Sequence, residues 1–175
     1  MNLHELSFIK DAAAVVRTLF DAPRVVDLHA LCSEADALYE QGMYFEAQTY
    51  ACRVVKLAAS TRPGDNATLV RALIMLGKAL RCQRRYADAE IALAPAISIA
   101  GRLSSDRHPL ICALNEYGEL CNVAGWFECG ISAYQHALEL AQETYGQSSA
   151  AVAAILRSIG KLHDARERER AARNS

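Results

Sequence analysis

Apolar residues recur at intervals of three and four along almost the whole chain, and short polar breaks divide this pattern into helix-length blocks. Leu6, Ile9, Ala13, Val16 and Leu19 with Phe20 form the first stripe and predict a helix over about 3–20. Asp21-Ala22-Pro23 ends it, because the residue before a proline avoids helical backbone. The same reasoning predicts helices over about 24–40, 44–60, 66–82, 86–101, 108–123, 128–144 and 149–172. Gly42 suits the left-handed residue that closes a helix, Asp65 or Asn66 can cap the next one, and Pro109 fits a first helical turn. Pro95 falls inside a predicted helix, where it removes one backbone donor and should introduce a bend.

The blocks repeat. Ala35, Gly77, Gly118 and Gly160 are separated by 42, 41 and 42 residues. Each of the first three is followed, at constant spacing, by an aromatic (Tyr44, Tyr86, Phe127) and then by a small residue (Ala47, Ala89, Gly130). A period of this size marks a stack of supersecondary units. Each unit is a helical hairpin whose small residues let its two helices approach closely, with the aromatic filling the adjoining space. One hairpin buries too little apolar surface to stand alone, so neighbours share a continuous core. Projected back by one period, residues 3–20 align with the second helix of a hairpin and form a half-repeat.

With each copy numbered from Leu28, Val70, Ile111 and Ala153, the pattern resembles the tetratricopeptide repeat. That family expects a small residue at positions 8 and 20, a large apolar one at 24 and Ala at 27. Gly77, Ala89, Leu93 and Ala96 match, as do Gly118, Gly130, Tyr134 and Ala137. The first copy is weaker, with Ala51 and Val54 at the last two positions. The period exceeds the family's usual one of about 34, and the extra residues lie between hairpins. Loops ending in His-Pro, as in Ser105-Asp106-Arg107-His108-Pro109, followed by Leu114-Asn115, look like the kinesin-light-chain type. The resemblance covers roughly residues 28–165. It implies an all-α, right-handed superhelical solenoid of about three repeats, whose first helices line a concave groove. The organisation expected is a capping helix or half-repeat over 1–23, repeats over 24–148, and a capping helix with a charged tail over 149–175.

Positions 2, 5, 9 and 12 of the first helices make one face distinct from the core face. They read His29, Cys32, Asp36, Tyr39; Arg71, Ile74, Lys78, Arg81; Cys112, Asn115, Glu119, Asn122; and Ala154, Arg157, Lys161, Asp164. The partner-binding candidates are Tyr39, Arg71, Lys78, Arg81, Asn115, Glu119, Asn122, Arg157 and Lys161. Asn115 can donate to and accept from an extended peptide backbone, a role the family often gives this position, and it reads equally well as an ordinary surface amide. Arg71, Lys78 and Arg81 would suit carboxylates on a partner with acidic segments, or would pair with acidic neighbours. One sub-family grips a C-terminal carboxylate with Lys and Asn at positions 5 and 9 of its first repeat. Cys32 and Asp36 stand there, and the clamp looks absent.

Composition narrows the reading further. A formal charge of −1 excludes a generally basic nucleic-acid binder. No apolar run approaches the length of a membrane span and the start lacks a basic leader, which points to an intracellular, cytoplasmic protein. The six cysteines form no C-x-x-C pair and read as reduced, mostly buried thiols. His108 and Cys112 lie one helical turn apart, but two ligands do not close a zinc site. His163 with Cys121 reads as core. No phosphate-cradling glycine loop, G-x-S-x-G or H-E-x-x-H is present, so neither a cofactor nor catalysis is expected. The stretch from Asp164 to Arg170 is too charged to pack on a repeat and offers i,i+4 pairs, Asp164–Arg168 and Glu169–Arg173.

The function expected is a non-catalytic adaptor or scaffold holding a peptide or helical segment in its groove. The alternative is a structural subunit or homo-oligomer assembling through its terminal helices, around Leu6 and Ile9 or Leu162.

Overall fold

A left-handed turn recurs at the same place in three helical hairpins and sets their shape. The computed structural model describes residues 27–60, 66–103 and 106–174, and among them the secondary structure is entirely helical. The helices are α1 (Leu28–Glu40), α2 (Tyr44–Ser60), α3 (Asn66–Cys82), α4 (Tyr86–Ala100), α5 (His108–Ala124), α6 (Phe127–Tyr145) and α7 (Ala150–Arg173). The boundaries fall within a residue or two of those read from the pattern, except at α1. There Asp27 is the N-cap, its carboxylate accepting from the His29 and Ala30 backbone N–H groups, so the helix starts at Leu28 rather than near 24. Expectations for residues 1–26 and for a cap at Asp65 lie outside the described residues.

After α1, α3 and α5 the chain reverses through one motif. The N–H groups of Met43, Arg85 and Trp126 donate to the carbonyls of Leu38, Leu80 and Cys121 at 2.9, 3.0 and 2.8 Å. Such a six-to-one bond needs a left-handed residue just before its donor. Gly42 and Gly125 supply it with φ of 77°, and Arg84 supplies it at 60° despite its side chain. In α7 the equivalent position is Glu167, amid strong helix formers, and the helix runs on to Arg173 without turning.

Consecutive helices pack in order. In addition α1 touches α3, α3 touches α5 and α5 touches α7, whereas α2, α4 and α6 make no contact with one another. The first helices therefore share one continuous wall. The core follows the repeat positions: Ala47, Ala89, Leu93, Ala96, Ala137 and Tyr134 are at most 1% exposed. Gly77 and Gly118 are close-approach points. A Cβ on Gly77 would lie 2.6 Å from Leu93 Cγ, and one on Gly118 would lie 2.6 Å from the Tyr134 ring. The partners scale in size: Ala35 packs in a cluster with Ala51, while the two glycines admit leucine and tyrosine. The aromatics Tyr44, Tyr86 and Phe127 are only half-buried, flanking the core instead of filling it. Pro95 lies on the exposed face of a continuous α4, where water can satisfy the carbonyl that lacks its donor.

The charged end of α7 packs more than its composition suggests. Arg166 is only 21% exposed; it donates to Glu128 at 3.0 Å and lies 3.2 Å from His163 Nδ1, crossing the α5–α6 turn. Of the two i,i+4 pairs, Glu169–Arg173 forms, whereas Arg168 donates to the Asp164 backbone carbonyl at 3.1 Å. Leu162, taken above as an assembly contact, is fully buried; a Cβ on Gly130 would lie 2.9 Å from its methyl. It belongs to the core of this chain and is not available to another.

Candidate functional site

The wall made by the first helices carries a groove of about 510 Å³ between α3 and α5. Val70, Ile74, Met75 and Pro109 give it an apolar floor, and Arg71, Lys78, Asn115 and Glu119 rim it, with Asp36 reaching in from α1. Helix periodicity explains the arrangement. Arg71, Ile74 and Lys78 are spaced three and four apart on α3, and Cys112, Asn115 and Glu119 are spaced likewise on α5. Two such stripes on adjacent helices face the same side.

The basic residues are mostly engaged within the chain. Arg71 forms an ion pair with Asp36, and its other nitrogen lies 3.3 Å from His29 Nδ1. Arg81 Nε donates to Glu116 Oε1 at 2.6 Å, and both side chains are largely buried, 17% and 9% exposed. Burial pushes the Glu116 carboxyl above the usual range, and the Arg81 charge works against that rise. Burial depresses the Arg81 guanidinium, but the Glu116 carboxylate more than restores it. Lys78 differs: it pairs with no carboxylate among the described residues and sits 4.8 Å above the Tyr39 ring as a cation–π contact. Burial, then the Cys82 thiol 3.5 Å from its hydroxyl, holds the Tyr39 phenol protonated.

Asn115 has a buried Oδ1 that accepts no hydrogen bond from the described residues. An orphaned acceptor at the edge of a groove costs about 1–3 kcal/mol unless water or a ligand donates to it. Glu119 accepts from Ser158 Oγ at 3.3 Å, tying α5 to α7.

Of the nine residues expected at a binding face, the groove brings together Arg71, Lys78, Asn115 and Glu119. Tyr39 joins it only through Lys78. Arg81 is turned into the joint with Glu116, and Asn122 is half-buried away from the groove. Arg157 and Lys161 are exposed on α7 and do not line it. Glu116, His108 and Met75 were not among the candidates. Glu116 is the informative omission: a carboxylate next to Asn115, on the side of α5 turned toward α3, signals a partner cation on the preceding first helix.

At the groove's end His108 Nδ1 lies 2.7 Å from the Tyr145 hydroxyl, fastening the start of α5 to the end of α6. His108 Nε2 lies 3.5 Å from Cys112 Sγ. Burial raises the Cys112 thiol, which Lys78 partly offsets, and it pushes Cys121 up to about 12. Both thiols stay protonated at neutral pH and are poor nucleophiles. Among the described residues no group of three or more His, Cys, Asp or Glu is placed to hold a metal ion. No helix among them is long and apolar enough to cross a membrane. No protein-family model matches the chain, and comparison with curated proteins finds no match.

Proposed function

We propose that this chain is a tetratricopeptide-like interaction module that holds an extended peptide segment of a partner protein in the α3–α5 groove. The observation that carries the reading is the orphaned Asn115 Oδ1. It rims an apolar-floored groove of about 510 Å³ that Lys78, which forms no ion pair with a carboxylate among the described residues, also lines. The amide would accept a backbone N–H with Oδ1 and donate to a backbone carbonyl with its nitrogen. Ile74 and Met75 would take an apolar side chain, and Lys78 would favour an acidic residue beside it. Arg71 and Arg81, already paired with Asp36 and Glu116, shape the walls and contribute little attraction of their own. The right-handed superhelical curvature belongs to this proposal too, supported by first helices that touch while second helices do not. So does an adaptor or scaffold role in the cytoplasm, binding without catalysis.

The test is selection of a phage-displayed library of random peptides on the purified chain. Peptides enriched on the wild type should lose at least tenfold in affinity on Asn115→Ala and on Lys78→Glu, with melting temperature unchanged. Acidic residues should recur among them. Enrichment of nothing above background, or of peptides that bind both variants equally, defeats the groove reading.

A further inference from the structure

The last helix has the face of a first helix, and among the described residues no second helix is laid on it. At Gly77 and Gly118 an added Cβ would run into Leu93 or Tyr134 of the following helix, whereas at Gly160, in the same register, nothing among the described residues lies within 4 Å. Leu73 and Leu114 are 7% and 5% exposed, and their counterpart Leu156 is 50% exposed. Because α7 continues to Arg173 where its predecessors turn, it lays no helix of its own over this face.

An element that fits this face is encoded elsewhere in the chain. Residues 3–20 carry the stripe of a second helix, in register. Ile9 precedes Ala51 by 42 residues and so takes the place of Leu93 and Tyr134. Ala12 and Val16 likewise take the places of Ala96 and Ala100. The departures from the pattern also match. The tight position held by Ala47, Ala89 and Gly130 is Glu5 in this segment, and Gly130 faces Cys121 across its hairpin. In α7 the counterpart of Cys121 is His163, with the Arg166 guanidinium against it, so the edge that would meet the acid is polar rather than apolar. Reach argues against closure within one chain. Eight Cα steps join Phe20 to Leu28 and span about 26–29 Å at most, so only a fully extended linker would match the three helix-to-helix steps of about 8–10 Å each that separate α7 from α1.

We infer that the open face of α7 is an acceptor for residues 3–20 of a second copy of this chain, with Ile9 seated over Gly160. Copies then join head to tail, each joint completing a repeat from two half-repeats. The contact is heterologous, so it propagates unless the rotation closes a ring. It is independent of what occupies the α3–α5 groove.

The experiment is sedimentation velocity on the full chain over a concentration series. Wild type should increase in mass with concentration. Gly160→Trp fills the socket without touching the monomer core, and Leu156→Glu blocks the same face by charge; Ile9→Asp with Val16→Asp spoils the donor. Each variant alone should stay monomeric with unchanged helicity. An acceptor-blocked chain mixed with a donor-blocked chain should form a 1:1 dimer, because each keeps the half the other lacks. A wild type that is monomeric throughout, or a mixture that fails to pair, overturns the inference. So does assembly that survives the donor change but not the acceptor change, which would mean that α7 faces pair with each other.

Discussion

Gly118 and Gly160 occupy the same place in two copies of one repeat, and their surroundings are opposite. Gly118 lies under the ring of Tyr134, which is 1% exposed, and α5 is covered by α6 on that side. Gly160 meets no other described residue, and α7 extends past the point where α5 turned back. The joints differ as well. An ion pair between Arg81 and the buried Glu116 fastens α3 to α5, while between α5 and α7 the Ser158 hydroxyl donates to Glu119. A repeat position thus specifies shape only together with its partner. Glycine beside a following helix is a packing device, and glycine without one is a weak point in a helix or an opening for another chain.

Four changes would break or sharpen this contrast. The largest effect is expected from Tyr134→Ala, which empties the site over Gly118 and should cost about 3–5 kcal/mol, read as a lower midpoint in urea unfolding. Arg81→Ala should cost about 3 kcal/mol at neutral pH by leaving Glu116 buried without its counter-charge. The pH dependence has a definite sign. A carboxyl raised in the folded state disfavours folding as pH rises through its folded value, so the variant should recover stability below that value. Thermal melts from pH 5 to 8 should show that slope steepened relative to wild type, and Glu116→Gln added to Arg81→Ala should flatten it.

Gly118→Ala comes next. Its methyl overlaps a ring that has little room to move, and overpacking of this kind costs about 1–3 kcal/mol, against which better helix propensity returns up to about 1 kcal/mol. The smallest change is the sharpest comparison. Gly160→Ala meets no neighbour among the described residues and should stabilise the monomer by about 0.5–1 kcal/mol. Equal responses to alanine at the two glycines, compared by midpoint under the same conditions, would show that α7 is covered after all.

The repeat was legible because helical period and small-residue spacing are local properties that survive in one dimension. Ala47 was placed at a packing position by spacing, Leu93, Ala96 and Ala137 by the resemblance to the repeat pattern, and the first hairpin turn by Gly42. The groove was only half legible. Spacing located Arg71, Lys78, Asn115 and Glu119 on one face, but it could not say which cations were already spoken for. That depends on how far one first helix is shifted against the next, and on this shift rest the pairs Arg71–Asp36 and Arg81–Glu116. The charged end of α7 was misjudged for the same reason. Composition assigned Asp164–Arg170 to solvent, yet the helix's path carries Arg166 over the α5–α6 turn to Glu128.

The sequence by itself determined the helices, their pairing into hairpins and the positions at which those hairpins interlock, because each follows from periodicity and residue size within a few turns of chain. Tertiary structure alone decided which charges neutralise one another, which acceptor is left without a donor and which copy of the glycine stands open. Those outcomes depend on distances between residues some 35 to 40 apart in the chain, set by how whole helices lie against each other.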